Sequence, residues 1–284
     1  MSDIGALSDG TTAALPISRS LAHRLRWAIS DTWTITQRAF RHWTRQPGQL
    51  FVGVFFPVMV LLMFAYLFGG AMSVPDGGAY REFLVPGMFA LAMVFGLEAT
   101  FTAVASDAAK GVTDRFRAMP MTPSAVLVGR SIADMVYSLV GLAVLIAAGW
   151  VIGWRPHNGL GEALMAVGLL VWLRFALLWV GIYLGLAARG PESVAAVQIL
   201  FWPLGFLSSV FAAPATMPGP LRIIAEWNPL SATASATRQL FGNPGWGGDS
   251  WIAQHAILMA VVWPLLILAV FAPLAVARYW RLNR

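Results

Sequence analysis

Six long apolar runs dominate this chain of 284 residues, at about 50–70, 84–105, 131–153, 162–187, 193–212 and 252–277. Each is near the ~20 residues that an α-helix needs to cross ~30 Å of hydrocarbon. No water is present there to satisfy backbone N–H and C=O groups, so runs of this length dictate helices. The expected fold class is an all-α integral membrane domain with six transmembrane helices. The balance of 58% hydrophobic and 11% charged residues agrees, because soluble chains carry about 25% charged residues.

The segments between the runs have their own patterns. Residues 1–18 are small and polar without periodicity, which reads as a disordered tail. Residues 19–284 read as a single membrane domain. Over 19–46, apolar residues such as Leu21, Leu25, Ile29, Trp33, Phe40 and Trp43 recur at three- and four-residue steps, with Arg24, Arg38, Arg41 and Arg45 mostly elsewhere. That is the pattern of an amphipathic helix lying in the membrane interface. Between spans five and six, 213–251 contains MPGPLRIIAEWNPLSATASATRQLFGNP. Asn228 is placed to cap a helix with Pro229 at its first position, and Gly242 to end it. Its apolar and hydroxylated faces predict a short helix dipping into, or resting on, the outer leaflet.

Basic residues set the orientation. With the N-terminus in the cytoplasm, fourteen of the nineteen Lys and Arg fall on inside segments. Arg81, Arg155, Arg222 and Arg238 fall outside, and Arg174 lies within span four. Both termini are therefore expected to face the cytoplasm. The same rule accounts for the formal charge of +6 without invoking nucleic acid. The most charged inside segment is Asp107 to Arg130, DAAKGVTDRFRAMPMTPSAVLVGR, which holds Lys110, the one lysine of the chain, and the bracketing prolines Pro120 and Pro123.

Ionisable residues within spans are costly and mark functional candidates. Glu98 in span two and Arg174 in span four are expected to pair, with Asp134 in span three as the competing partner. Phe95, Glu98 and Thr102 share a face of span two; Gln198, Phe201 and Ser209 lie along span five. Aromatics interleaved with small polar groups suit a path for amphipathic, partly planar molecules, and equally suit simple helix packing. Gly181-x-x-x-Gly185 permits close helix approach.

Familiar catalytic patterns do not occur. The chain has no cysteine, its four histidines have no metal-ligand spacing, and there is no G-x-x-x-x-G-K-[ST] phosphate loop. No enzyme activity, metal or cofactor is expected of this chain, so the energy for uphill movement would come from a partner or an ion gradient.

The order of these features resembles the permease subunit of ABC-2 type exporters, in particular the daunorubicin-resistance branch of bacterial drug permeases. The specific parts are the elbow DRFRAMPMTPSAVLVGRSIADMV and the outer NPLSATASATR segment, and the likeness extends over about residues 20–284. It implies a cytoplasmic coupling helix at Asp114, Arg115, Phe116, Arg117, Ala118 and Met119, docking on a separate ATP-binding cassette subunit that holds ATP and Mg. It implies a second permease copy, identical or not, and a substrate path between spans two and five. It further implies an outer re-entrant segment at 213–251 and a bacterial cell membrane location. The expected function is export of amphipathic small molecules, drugs or lipids. A proton-coupled secondary transporter or channel using Glu98 and Asp134, and an exporter of a lipid-linked envelope component, are the alternatives. Of these, the secondary transporter is disfavoured by the lack of an evident inverted repeat.

Overall fold

The computed structural model describes residues 37, 47–70, 79–110, 123–245 and 250–281, and within them the regular structure is helical throughout. The expected tail at 1–18 and, apart from residue 37, the interfacial helix at 19–46 lie outside the described residues. The long helices are α1 (Pro47–Met63, continued by a π turn over Phe64–Phe68), α2 (Tyr80–Ala109), α3 (Pro123–Val151), α4 (Leu160–Ala187) and α9 (Ala256–Arg281). Between α4 and α9 come α5 (Pro191–Phe206), α6 (Gly219–Trp227), α7 (Pro229–Phe241) and the single turn α8 (Trp251–Gln254).

Helix α2 is the hub, packed against α1, α3, α4, α5 and α7, with its most extensive contact on α4. Hydrophobicity does not drive such contacts in lipid; close packing does. Small residues make it possible here. A Cβ on Gly181 would stand 2.9 Å from the Leu97 carbonyl oxygen, and one on Gly185 would stand 2.5 Å from the Val104 Cβ. The GxxxG pair thus lies on the backbone of α2.

Among the described residues, five helices are long and apolar enough to cross a membrane: Phe51–Phe68, Tyr80–Ala109, Val128–Val151, Leu160–Ala187 and Ala256–Arg281. The run expected as span five, 193–212, behaves differently. Its helix stops at Phe206 and the chain turns irregularly to Ala213. Hydropathy conceals the break because its residues are apolar: Val210 and Phe211 are buried in the main core. What ends the helix is a set of polar side chains that take over the backbone bonds. Asn228 Nδ2 donates to the carbonyls of Leu204 and Leu207, both at 2.8 Å, while its Oδ1 accepts from the Leu230 N–H and caps α7. One asparagine thereby joins the end of α5 to the start of α7. The Ser209 N–H donates to Ser231 Oγ at 2.8 Å, and Tyr80 Oη to the Phe211 carbonyl at 3.3 Å.

Helix α7 follows its capping sequence: it starts at Pro229, ends at Phe241, and Gly242 closes it at φ 68°, a left-handed position suited to glycine. Rather than resting on a surface, α7 is almost wholly buried, surrounded by α2, α4 and α9. Its end is clamped by the α3–α4 loop. The His157 N–H donates to the Phe241 carbonyl at 2.7 Å, and Trp154 Nε1 to Asn243 Oδ1 at 2.9 Å, with the Trp154 ring edge-on to Phe89 and Phe241.

Replacing Gly185 by Leu should force α2 and α4 apart and destabilise the protein by about 1–3 kcal/mol. Gly168→Ala, at a site with nothing within 4 Å, should not. Thermal unfolding of the two detergent-solubilised variants, followed by size-exclusion fluorescence, distinguishes them.

Candidate functional site

The face of α2 that looks toward α5 carries the residues that could meet a substrate. Phe95 lies 5.7 Å from Trp202 and 5.6 Å from Phe56, ring to ring, and the row continues through Phe206 to Phe211. One turn from Trp202 on α5, Gln198 Nε2 donates at 3.2 Å to Thr102 Oγ1, about two turns beyond Phe95 on α2. Glu98 shares this face by helical register. It is half-buried and has no ion pair or hydrogen bond among the described residues. The remaining two residues expected on this path are elsewhere. Phe201 is buried edge-on to Phe101, and Ser209 is buried in the break, bonded to Ser231.

Arg174 is 1% exposed and does not reach Glu98. Its Nη2 donates to Thr100 Oγ1 at 2.8 Å and its Nε to Ser138 Oγ at 2.6 Å. Thr100 Oγ1 lies 2.8 Å from Asp134 Oδ2, so the negative partner in this cluster is Asp134, reached through a hydroxyl. The correction follows from helix geometry. Gly96 and Thr100 are one turn apart on the α4 side of α2, whereas Glu98 is two residues from each and points away. A Cβ at Gly96 would stand 2.5 Å from Arg174 Nε; the glycine makes the recess that holds the guanidinium.

A second buried cation went unrecognised in the sequence. Arg238, counted there among outside-loop charges, is 1% exposed. Its Nε donates to the Phe83 carbonyl at 2.9 Å and its Nη2 to the Val210 carbonyl at 3.1 Å, with the guanidinium 3.7 Å over the Phe83 ring. Gly87 leaves room for it: a Cβ there would stand 2.6 Å from Nη2. The available signal was its place on the last turn of a capped helix that follows a long apolar stretch. The expected coupling residues Asp114, Arg115, Phe116, Arg117 and Met119 lie outside the described residues. No group of three or more His, Cys, Asp or Glu that could hold a metal occurs among the described residues.

This long-helix membrane domain, with α7 buried among its helices, is matched by the ABC-2 type transporter family model over residues 30–241. The chain belongs to this family. It is similar to the daunorubicin resistance ABC transporter permease protein DrrB1 of Streptomyces coeruleorubidus, at 36% identity over 84% of this chain and 85% of that protein. It is also similar to the probable doxorubicin resistance ABC transporter permease protein DrrC of Mycobacterium tuberculosis, at 25% identity over 79% and 80%. The putative transport permease ycf38 of Pyropia yezoensis is 25% identical over 79% and 81%. As an ABC-2 family member with such relatives, the chain is a multi-pass membrane permease subunit of an ABC exporter.

Within this permease the buried Arg238 and the unpaired Glu98 should respond differently to mutation. Arg238→Ala strands the buried Val210 carbonyl and empties the space over the Phe83 ring, and should cost on the order of 3 kcal/mol. Arg238→Lys should recover only part of this, because an ammonium cannot lie flat on Phe83 while reaching both oxygens. Glu98→Gln breaks no described contact and should stay within about 0.5 kcal/mol of the native protein. Thermal midpoints in detergent, compared across the three variants, check the order.

Proposed function

We propose that this chain exports amphipathic small molecules, drugs or lipids from a bacterial cell, as one of two permease copies driven by a separate ATP-binding subunit. The observation that carries the reading is the face between α2 and α5. There an aromatic row of Phe56, Phe95 and Trp202 adjoins the Thr102–Gln198 pair, and Glu98 is unpaired on the same helix side. Rings at these spacings receive flat apolar bodies, and a half-buried carboxylate without a partner favours a cationic group beside them. The drug-resistance names of two relatives support the same class of substrate.

The rest of the assignment follows from the same frame. A permease needs two conformations, and the partner must favour one of them through differential contact. The elbow between α2 and α3 is the place for that contact. Phe116 and Met119 would be the apolar plug, and Asp114, Arg115 and Arg117 the rim. ATP and Mg would be held by the partner, not by this chain. Both termini and the elbow would face the cytoplasm. Helix α5, at 16 residues, would complete the sixth crossing together with the buried break, and the α6–α7 segment would close the outer end as a re-entrant element. The exposed apolar side chains of α1 and α5, such as Phe55, Met59, Ile199 and Leu204, would meet lipid or the second copy.

Two measurements test the proposal. Phe116→Ala with Arg117→Ala, co-expressed with the ATP-binding subunit, should lower co-purification and substrate-stimulated ATP hydrolysis by about tenfold or more; unchanged values would remove the coupling role from the elbow. Glu98→Gln, which leaves folding intact, should weaken export of cationic amphiphiles relative to neutral ones in vesicles. Equal export of both classes by native and variant protein would remove Glu98 from the path.

A further inference from the structure

A separate line of polar groups, not part of the α2–α5 face, runs inward from the two helix ends that flank the elbow. On the last turns of α2, Asp107 Oδ2 accepts from Arg130 Nη1 of α3 at 2.5 Å. The Nε of the same arginine is buried and hydrogen-bonds to nothing in the described structure; it lies 4.0 Å from Asp134 Oδ2, one turn deeper on α3. Asp134 Oδ2 is engaged by Thr100 Oγ1 at 2.8 Å, and Thr100 in turn accepts from Arg174 at 2.8 Å. Ser138 closes the far end: its Oγ accepts from Arg174 and donates to the Asp134 carbonyl at 2.9 Å. From Asp107 to Gly96, beside the Arg174 recess, the line covers about 16 Å along α2.

Two properties distinguish the ends of this line. Arg174 is enclosed, with glycine behind it and hydroxyls in front, and its Nη1 is buried without a hydrogen bond among the described residues. Arg130 stands between two carboxylates, bonded to one and just out of reach of the other. Its pair with Asp107 is open to solvent, with side-chain exposures of 21% and 37%, and an ion pair that exposed is weak and readily exchanged. A small rotation of α2 against α3 would lengthen the Nη1–Asp107 bond and free the Arg130 side chain to swing its Nε onto Asp134, one turn away on the same helix. Asp134 would then share its charge with Arg130 and loosen its hold on Thr100, and through Thr100 on Arg174.

We propose that Asp107, Arg130 and Asp134 form a latch between α2 and α3, in which Arg130 passes from Asp107 to Asp134 as the elbow moves. Thr100 and Arg174 carry that exchange to the middle of the bundle. These are positioning residues for energy coupling: they touch neither nucleotide nor substrate. They set which arrangement of α2, α3 and α4 accompanies each state of the elbow. The inference rests on the reading that the partner ATPase grips the elbow, and it adds the route by which the grip reaches the membrane interior. A discrete two-position element of this kind is what coupling between distant sites physically requires.

The cysteine-free sequence makes a direct test simple. Ala109→Cys and Val128→Cys place spin labels at exposed positions on α2 and α3, in the full chain co-purified with its ATP-binding subunit in lipid nanodiscs. The native latch should give one narrow label separation without nucleotide and a second on adding a non-hydrolysable ATP analogue. Asp107→Asn should show the second separation without nucleotide and should raise ATP consumed per molecule exported by about tenfold. Asp107→Glu, which keeps the carboxylate, should restore both readouts. The latch is overturned if Asp107→Asn keeps the native separation, or if Asp107→Glu does not recover it while co-purification is normal. If Asp107→Asn shifts the separation but nucleotide never does in the native complex, the latch stands and the grip on the elbow is what fails.

Discussion

The constraint on which the rest of this structure depends is that backbone polar groups away from water must find partners inside the protein. Five long helices satisfy it internally. The break after α5 cannot, and side chains from three other places supply what is missing: Asn228 and Ser231 from the start of α7, Arg238 from its last turn, and Tyr80 from the start of α2. Non-helical backbone is tolerated at such a place only where protein surrounds it. That requirement explains why α7 is buried among α2, α4 and α9 instead of lying on the surface. It also explains why an arginine counted as a loop charge is enclosed.

Helix α2 makes this arrangement possible by being thin where it must be. Gly87 admits Arg238 and Gly96 admits Arg174, while Gly181 and Gly185 of α4 let the two backbones meet. The two arginines nevertheless do different work. Arg238 donates to carbonyls and stacks on Phe83, holding a fixed piece of backbone in place. Arg174 donates to two hydroxyls that lead to a carboxylate, and so joins three helices through groups able to rearrange. Opposite sides of one helix thus serve separate ends: the side toward α4 and α7 holds the bundle together, and the side toward α5 stays aromatic, polar and open.

Much of this was legible in the residues. Asn228, Pro229 and Gly242 announced α7 to the residue, because capping chemistry is local. Pro123 announced the start of α3, and the GxxxG pair announced a close contact, although not with which helix. The break at Phe206 was hidden because 207–212 is as apolar as a span, and hydropathy does not distinguish a helix from a turn whose carbonyls are served from elsewhere. The pairing of Arg174 failed for a related reason. Composition offered Glu98 and Asp134 as candidates, and only the rotation of α2 about its axis decides which one faces α4.

The sequence by itself determined the class of molecule, the long helices, the uneven placement of its charges between segments, the family resemblance and the local caps. All of these follow from run length, residue type and neighbours within a few positions. The tertiary structure alone decided which polar groups meet. Arg238 and Phe83 are 155 residues apart, and Thr100 and Arg174 are 74 apart. Their contact depends on how closely helices can approach the glycines of α2, a property of the packed bundle that no single stretch of chain encodes.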